Sequence, residues 1–409
     1  MTKQEKNLMA ANLIWMEELR REDVPKVGGK NASLGEMISA LAAEGIQVPG
    51  GFATTADAYR AFVEANDLGA VIREKMADMD DHKITLHEAG MAIRKAFEKG
   101  TWPENLAADI REAYRKMSAD AGQENLSVAV RSSATAEDLP DASFAGQQET
   151  FLNVTGEKEL LSACRRCYAS LFTDRAITYR NINGFDHEEV ALSIGVQRMV
   201  RSDKASSGVM FSIDTETGCD RFVLITGAWG LGENVVQGAV DPDEWQVFKP
   251  FLDNPDLSPI VAKDMGAKEI KMIYGAEGEA MTRNVPTSKA ERGRFTLTDE
   301  EVLSLARMAK TIEAHYGLAM DMEWAKDGIT GELFIVQARP ETVRSREDAG
   351  AIKQYVIRDK GRALIEAVYR AADDNGTPSV YWMTQDFNAT ARLLYDRIAT
   401  LTPFIKYQR

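Results

Sequence analysis

The order of helical and extended patterns along the chain predicts an α+β fold, in which separate lobes each combine strands with helices. Helical periodicity dominates up to about residue 120, whereas β-branched runs separated by Ser, Gly and Asp clusters dominate from residue 190 onward. The strands and helices do not alternate regularly, which argues against a parallel βαβ sheet. A chain of 409 residues also exceeds the ~250–300 residues that one hydrophobic core usually supports.

The first part of the chain is predicted to be largely helical. Residues 8–24 have an amphipathic pattern that leads into a glycine-rich turn at residues 27–30. Asn31 or Ser33 is placed to cap the helix that follows this turn. Further helices are predicted at residues 55–64 and, on either side of a break at Trp102-Pro103, within residues 65–120.

Extended segments follow this helical part. A β-branched run at residues 128–130 ends at Arg131, and residues 132–148 lack helix signals, so we expect an ordered loop there. The remaining predicted elements are strands at residues 191–200, 207–212 and 221–226, a helix at residues 299–316 and a hairpin at residues 320–340.

Composition narrows the class of protein. The chain has 63 acidic and 49 basic side chains, a net charge of −14, which argues against nonspecific nucleic-acid binding. Its apolar runs are far shorter than the ~20 residues that a membrane span needs. Three cysteines do not suffice for a disulfide framework, and no signal peptide is apparent. We therefore expect a cytoplasmic protein that binds neither nucleic acid nor membrane.

The predicted hairpin carries a pattern typical of a cation site. Strand side chains alternate between faces, so Asp321 and Glu323 share one face, as do Gln337 and Arg339 on the partner strand. Two carboxylates and an amide oxygen beside an arginine suit a hard cation such as Mg²⁺ that holds phosphates. A solvated polar face with one salt bridge is the alternative. The apolar face is then expected to consist of Met322, Trp324, Phe334 and Val336.

Two glycine-rich loops and one arginine are candidates for anion binding. Residues 28–30 and 227–232 could bring backbone N–H groups close to an anion, although neither has the P-loop or the dinucleotide-binding spacing. Arg131, followed by Ser132, could hold a phosphate with two hydrogen bonds. Ordinary turns and an ordinary strand-end salt bridge are the alternatives.

Taken together, several strings between about residues 10 and 345 resemble the N-terminal ATP-binding portion of the phosphoenolpyruvate synthase (pyruvate, water dikinase) family. They are residues 27–37 (VGGKNASLGEM), 129–133 (AVRSS), 146–150 (GQQET), 208–215 (GVMFSIDT), 229–233 (WGLGE) and 334–340 (FIVQARP). The resemblance implies an ATP-grasp-type nucleotide-binding domain, whose two lobes clamp ATP and Mg²⁺. In that family ATP phosphorylates a histidine on a swivelling domain, which then phosphorylates pyruvate on a C-terminal barrel.

The resemblance also implies a role for each matched residue. Lys30 and Arg131 would neutralise the triphosphate, and Arg339 would contact the transferring phosphate. Glu323 and Gln337 would hold Mg²⁺ with Asp321 beside them, and the loop of residues 132–148 would close over the phosphates. The implied nucleotide-contacting set is Lys30, Arg131, Ser132, Gly146, Gln147, Asp321, Glu323, Gln337 and Arg339, of which Lys30, Arg131 and Arg339 are the implied catalytic residues.

The chain also departs from the family pattern. The Thr-Cys-His-Ala string of the phosphohistidine domain does not occur. The chain is therefore expected to need a phosphohistidine domain in another chain or in a missing C-terminal part, to involve pyruvate only indirectly, and to be inactive alone in the full reaction. The expected organisation is a first lobe (1–200), a second lobe (201–345), a linker (346–366) and an unmatched, aromatic C-terminal extension (367–409).

Three alternatives stay open at this point. The chain could be the ATP-binding part of a related dikinase or of a rifampin phosphotransferase, since acceptor specificity lies in parts that it does not contain. It could also be a noncatalytic nucleotide-binding regulatory module, in which the C-terminal extension recognises a partner. A homodimer is compatible with each of these alternatives.

Overall fold

The computed structural model describes residues 12–135, 149–275 and 281–341, together with short strands at 138–139, 142–143, 381–383, 400–401 and 406–408. The chain divides into two compact units, residues 1–347 and 348–409. Gly146, Gln147 and most of the predicted loop 132–148 lie outside the described residues, as do the linker and most of the extension. Within the described ranges, no helix is long and apolar enough to cross a membrane.

Helices and strands follow one another irregularly along the chain. The α-helices are α1 (Val24–Leu41), α2 (Ala56–Ala65), α3 (Leu68–Asp80), α4 (Leu86–Lys99), α5 (Glu104–Asp120), α6 (Glu157–Ala169), α7 (Asp174–Asn183), α8 (Glu233–Val236), α9 (Lys289–Arg292) and α10 (Asp299–Tyr316). The strands are β1 (Leu13–Trp15), β2 (Gly51–Thr54), β3 (Val128–Ala134), β4 (Asp138–Leu139), β5 (Ala142–Ser143), β6 (Thr150–Val154), β7 (Leu192–Arg198), β8 (Ser206–Phe211), β9 (Phe222–Trp229), β10 (Asp243–Phe248), β11 (Ile260–Asp264), β12 (Ile270–Tyr274), β13 (Thr282–Pro286), β14 (Met320–Lys326), β15 (Leu333–Pro340), β16 (Tyr381–Met383), β17 (Thr400–Leu401) and β18 (Lys406–Gln408).

The first sheet has five antiparallel strands in the order β1-β2-β7-β3-β6. Phe52, Val130 and Val196 from its strands are buried in one hydrophobic cluster with side chains from α2 to α6. This helix-covered sheet forms because the helices of residues 56–120 have apolar faces that need an apolar partner surface.

The second sheet has six antiparallel strands in the order β11-β10-β9-β8-β14-β15. Its core contains Trp245 and Met322 from the strands and Ile312 from α10. Leu34 and Met37 of α1 belong to the same buried cluster. The N-terminal segment thus packs with the sheet that follows residue 200.

Residues 348–409 contain a separate three-stranded sheet. Its strands have the order β16-β18-β17, and both pairings are antiparallel. Trp382 pairs with Tyr407 across β16 and β18, so two aromatic residues of the C-terminal extension lie in extended backbone.

Most predicted elements are present, one helix is wrong, and the loop predicted from residue 132 begins later because β3 continues to Ala134. The helix predicted at residues 299–316 is confirmed as α10, and Thr55 caps α2 by accepting a hydrogen bond from the Ala58 amide. The helix predicted at residues 8–24 is wrong, because Leu13–Trp15 instead pairs with β2 as an edge strand. The partner strand β2 follows α1 in the sequence, and pairing with it overrides the helical periodicity of residues 13–15.

Candidate functional site

A cleft of about 840 Å³ lies between the two sheets. One wall comes from β3, β6 and β7 of the first sheet, and the other comes from β14 and β15 of the second sheet. Of the residues predicted from the sequence, five line this cleft: Lys30, Arg131, Glu323, Gln337 and Arg339. Residues from opposite ends of the described chain are thus brought together on facing walls.

Helix α1 connects both walls and places Lys30 at the cleft. Gly28 interrupts the helix with φ +75°, and a Cβ there would lie within 2.6 Å of the side-chain oxygen and carbonyl group of Ser133. Glycine therefore allows the helix to touch β3 directly. Asn31 donates through its side-chain amide to Ser193 Oγ at 2.9 Å, and Ser33 donates to the Ala338 carbonyl at 2.8 Å.

These contacts correct the predicted start of this helix. Asn31 and Ser33 do not cap it, because the helical backbone resumes directly after Gly28 and both residues lie within the helix. Their side chains instead bind the first and second sheets, respectively. The glycine-rich turn predicted at residues 27–30 is a kink inside the helix.

The hairpin of β14 and β15 has the predicted polar face. Asp321 lies directly opposite Arg339, and Glu323 lies directly opposite Gln337. Side chains of directly paired residues project from the same face of a sheet, so these four polar groups share one face. Glu323, Gln337 and Arg339 line the cleft with this face.

The apolar face of the same hairpin differs from the prediction. A β-bulge shifts the register, because Glu323 pairs with Gln337 whereas Trp324 pairs with Ile335, and Val336 is the extra residue. Ile335 therefore joins Met322 and Trp324 in the second core. Phe334 and Val336, which were predicted on that face, pack instead with Val200 and Ala325. A strict two-residue alternation cannot continue through a bulge.

Arg131 links the two walls of the cleft. Its Nη1 donates to the Val336 carbonyl at 2.7 Å, and its Nη2 lies 3.4 Å from Glu323 Oε2. Its Nε is buried and has no hydrogen-bond partner among the described residues. The side chains of Arg131 and Glu323 are 15% and 23% exposed, so the ion pair is only partly screened by water. The shorter of these two Arg131 contacts is thus the hydrogen bond to the carbonyl of Val336, the extra residue of the bulge.

A second arginine–carboxylate pair lies beside the first. Arg339 donates from Nε to Asp321 Oδ2 at 2.8 Å, and its Nη2 lies 2.6 Å from the same oxygen. Burial raises the pKa of Asp321 above its usual value, and the positive charge of Arg339 offsets only part of this effect. Asp321 does not line the cleft itself, so its evident contribution is to hold Arg339.

Ser132 is placed differently from the other predicted residues. It is buried, donates to the Glu149 carbonyl at 3.3 Å, and is not part of the cleft lining. Strand alternation explains this position, since Arg131 faces the cleft and the next residue on β3 faces away from it.

The oxygen donors on the hairpin fit a hard cation. Glu323 offers a carboxylate and Gln337 an amide oxygen from directly paired positions, and both line the cleft. In the described part of the chain, no group of three or more His, Cys, Asp or Glu side chains could hold a metal ion. A cation here would therefore need, besides the Glu323 carboxylate and the Gln337 amide, oxygen ligands from a bound anion or from water, which Mg²⁺ commonly uses.

The cleft is also lined by several side chains that the sequence analysis did not select. They come from α7, β7, β8 and α8 and from the residue that precedes β6. They include Glu149, Arg175, Gln197, Arg198, Ser207 and Glu233. Glu149 and Glu233 lie in two of the strings that carry the family resemblance, and Leu231 and Gly232 of the glycine-rich segment 227–232 also reach the cleft.

Comparison with known proteins identifies the domain that carries this cleft. Residues 24–359 match the model of the pyruvate phosphate dikinase AMP/ATP-binding domain family, a range that contains the second sheet with its hairpin and every strand of the first sheet except β1. The chain belongs to this family. The ATP-binding character that the resemblance implied is thereby confirmed.

Several similar proteins are named phosphoenolpyruvate synthase. The proteins of that name from Synechocystis, Neisseria meningitidis and Escherichia coli are each 54% identical to this chain over 365, 363 and 359 residues. These matches cover 87–88% of this chain but only 44–46% of each relative. The chain thus spans less than half the length of the curated relatives that it matches.

Proposed function

We propose that this chain binds Mg·ATP in the cleft and transfers the β- and γ-phosphates together to a histidine on a separate domain, a step that releases AMP. Hydrolysis then frees one phosphate and leaves phosphohistidine. In this proposal the chain is the ATP-binding part of a phosphoenolpyruvate synthase, which converts ATP, pyruvate and water into phosphoenolpyruvate, AMP and phosphate. The two sheets would be the two lobes of an ATP-grasp-type fold, divided near residue 200. Residues 346–366 would form the linker toward the acceptor domain.

The observation that carries the proposal is the charge arrangement on facing walls. Lys30 and Arg131 come from one side of the cleft, and Arg339 comes from the hairpin on the other side. A triphosphate placed between them would meet positive charge from both walls. Phosphoryl transfer depends mainly on positioning and on stabilising charge, rather than on covalent chemistry by the protein.

Each side chain then has a defined task. Lys30 would act as a compact positive charge on phosphate oxygens, and the planar guanidinium groups of Arg131 and Arg339 would bind two oxygens at once. Glu323 and Gln337 would hold Mg²⁺, which when bound supplies further neutralisation of the triphosphate charge. Asp321 would keep Arg339 in position through its contacts with Nε and Nη2.

The acceptor lies outside the described site. The proposed partner is a phosphohistidine domain in another chain or in a further part of the protein, and pyruvate would be reached only through it. The names of the relatives favour phosphoenolpyruvate synthase over a related dikinase or a rifampin phosphotransferase. A homodimeric state and a cytoplasmic location remain predictions from sequence.

The test is phosphoryl transfer to supplied acceptors. The chain is incubated with Mg²⁺ and with ATP that is radiolabelled in its β- and γ-phosphates. Isolated histidine domains from a phosphoenolpyruvate synthase, a pyruvate, phosphate dikinase and a rifampin phosphotransferase are added separately. We expect acid-labile label on the first domain at the highest rate. Mg²⁺-dependent ATP binding without transfer to any domain would favour a regulatory module, and an absence of ATP binding would refute the proposal.

A further inference from the structure

Two charged groups of the cleft are paired with each other. Arg131, proposed to bind the triphosphate, contacts Glu323, proposed to bind Mg²⁺. The two residues belong to different sheets and lie 192 positions apart in sequence. The arginine is thus held by an anion of the protein itself, on the opposite wall.

The arginine is incompletely satisfied in this position. Nη1 has a short contact to the Val336 carbonyl, whereas Nη2 reaches Glu323 only at 3.4 Å and Nε has no partner within the described part of the chain. A buried guanidinium N–H without an acceptor is costly. Arg131 could therefore form stronger hydrogen bonds through Nε and Nη2 with a better acceptor, such as a phosphate oxygen.

We propose that Glu323 is also a positioning residue for Arg131, and that this contact couples metal binding to nucleotide binding. Without a cation, the carboxylate holds the guanidinium and reduces its availability to phosphate. If Glu323 held a divalent cation, its carboxylate would attract the Arg131 guanidinium less, and the guanidinium would become available to the triphosphate. This inference rests on the proposed binding of Mg·ATP in the cleft.

Coupling of this kind is reciprocal. The factor by which Mg²⁺ raises ATP affinity must equal the factor by which ATP raises Mg²⁺ affinity. Glu323→Gln removes the charge but keeps the size of the side chain. We expect this variant to bind ATP about two- to tenfold more tightly than wild type in the presence of EDTA, because Arg131 is already released. The gain from added Mg²⁺ should shrink at the same time.

A simpler cause could produce part of this gain, since removing a carboxylate also removes its repulsion of the triphosphate. The two causes are separated by a double-mutant cycle with Arg131→Gln. If release of Arg131 is the cause, Glu323→Gln gives its full gain only when Arg131 is present. If repulsion alone is the cause, the same gain appears in the Arg131→Gln background.

The measurement is calorimetric binding of ATP, with EDTA and with Mg²⁺, to wild type, both single variants and the double variant. Glu332→Gln, an exposed position on the same hairpin, controls for the loss of one negative charge. If Arg131→Gln fails to unfold cooperatively, Arg131→Lys replaces it in the cycle. A metal-free gain in Glu323→Gln that vanishes without Arg131 supports the coupling.

Two results would overturn the inference. One is unchanged or weaker metal-free binding in Glu323→Gln, and the other is a gain of equal size in both Arg131 backgrounds. Either result leaves the proposed function intact, provided that wild type binds Mg·ATP. If wild type binds no nucleotide under either condition, the proposed function itself fails.

Discussion

Gly28 allows α1 to approach the first sheet, and its replacement by alanine should be strongly destabilising. Its φ of +75° combined with ψ of 164° strains any residue with a Cβ, at a cost of about 1 kcal/mol or more. The added Cβ would also lie within 2.6 Å of three Ser133 atoms, two of which belong to the backbone. Backbone atoms cannot rotate away, so overpacking adds about 1–3 kcal/mol. We expect Gly28→Ala to lower the free energy of unfolding by about 2–4 kcal/mol in total.

Gly156 provides a matched control for this prediction. Its φ of +80° and ψ of 150° are close to those of Gly28, but a Cβ there would meet only Asn125 Oδ1, at an ordinary contact distance of 3.7 Å. Gly156→Ala should therefore cost only the conformational part, about 1 kcal/mol. The difference between the two variants isolates the close approach between α1 and β3.

Urea denaturation of the two variants and wild type measures these free energies, with equal slopes as the condition for comparing them. A folded Gly28→Ala variant should also bind Mg·ATP more weakly, because the displaced helix carries Lys30 away from the opposite wall. The reasoning is refuted if Gly28→Ala is no less stable than Gly156→Ala.

Three further predictions concern the hairpin, the lysine and one partly buried capping contact. Glu323→Ala or Gln337→Ala should lower the rate of phosphoryl transfer to a supplied histidine domain by orders of magnitude. The thermal unfolding temperature should stay near that of wild type, because this polar face of the hairpin adds little to the core. Transfer at the wild-type rate would reject the metal assignment. Lys30→Ala should weaken ATP affinity in calorimetry by about tenfold, and unchanged affinity would remove Lys30 from the site. Burial alone would raise the pKa of Glu291, but hydrogen bonds from Lys271 and the α9 cap outweigh it and lower the pKa to about 2. Because the folded-state pKa is the lower one, Glu291 stabilises the fold above about pH 4.5 and loses this contribution as the pH falls toward 2. Glu291→Gln should thus cost about 1–3 kcal/mol at pH 7, and its difference from wild type in urea denaturation should shrink below pH 4.5; a pH-independent difference would contradict this.

The sequence alone predicted the polar face of the hairpin but not its bulge. Alternation along residues 320–340 was sufficient to place Asp321, Glu323, Gln337 and Arg339 on one face, because direct strand pairing preserves the two-residue period. The bulge at Val336 could not be predicted in the same way. It depends on which residues pair across the strands, and the sequence of a single strand does not contain that information.

Long-range contacts account for the other differences. The segment at Leu13–Trp15 has helical periodicity but becomes a strand through its pairing with β2. The contact between Arg131 and Glu323 requires two sheets to face each other, and no local pattern encodes it. Residues such as Arg175 and Gln197 reach the cleft only because the topology brings their elements there. Local chemistry was therefore predictable, whereas its assembly into one cleft was not.

The central claim is that this cleft supports the conversion of Mg·ATP, a histidine and water into phosphohistidine, AMP and phosphate. Its most direct test is a single-turnover reaction of the chain with Mg·ATP and the isolated histidine domain of a phosphoenolpyruvate synthase, in which AMP and phosphohistidine are quantified together. The account predicts one AMP for each phosphohistidine formed, and no product with Glu323→Ala. ATP binding that yields neither AMP nor phosphohistidine over many hours would contradict it.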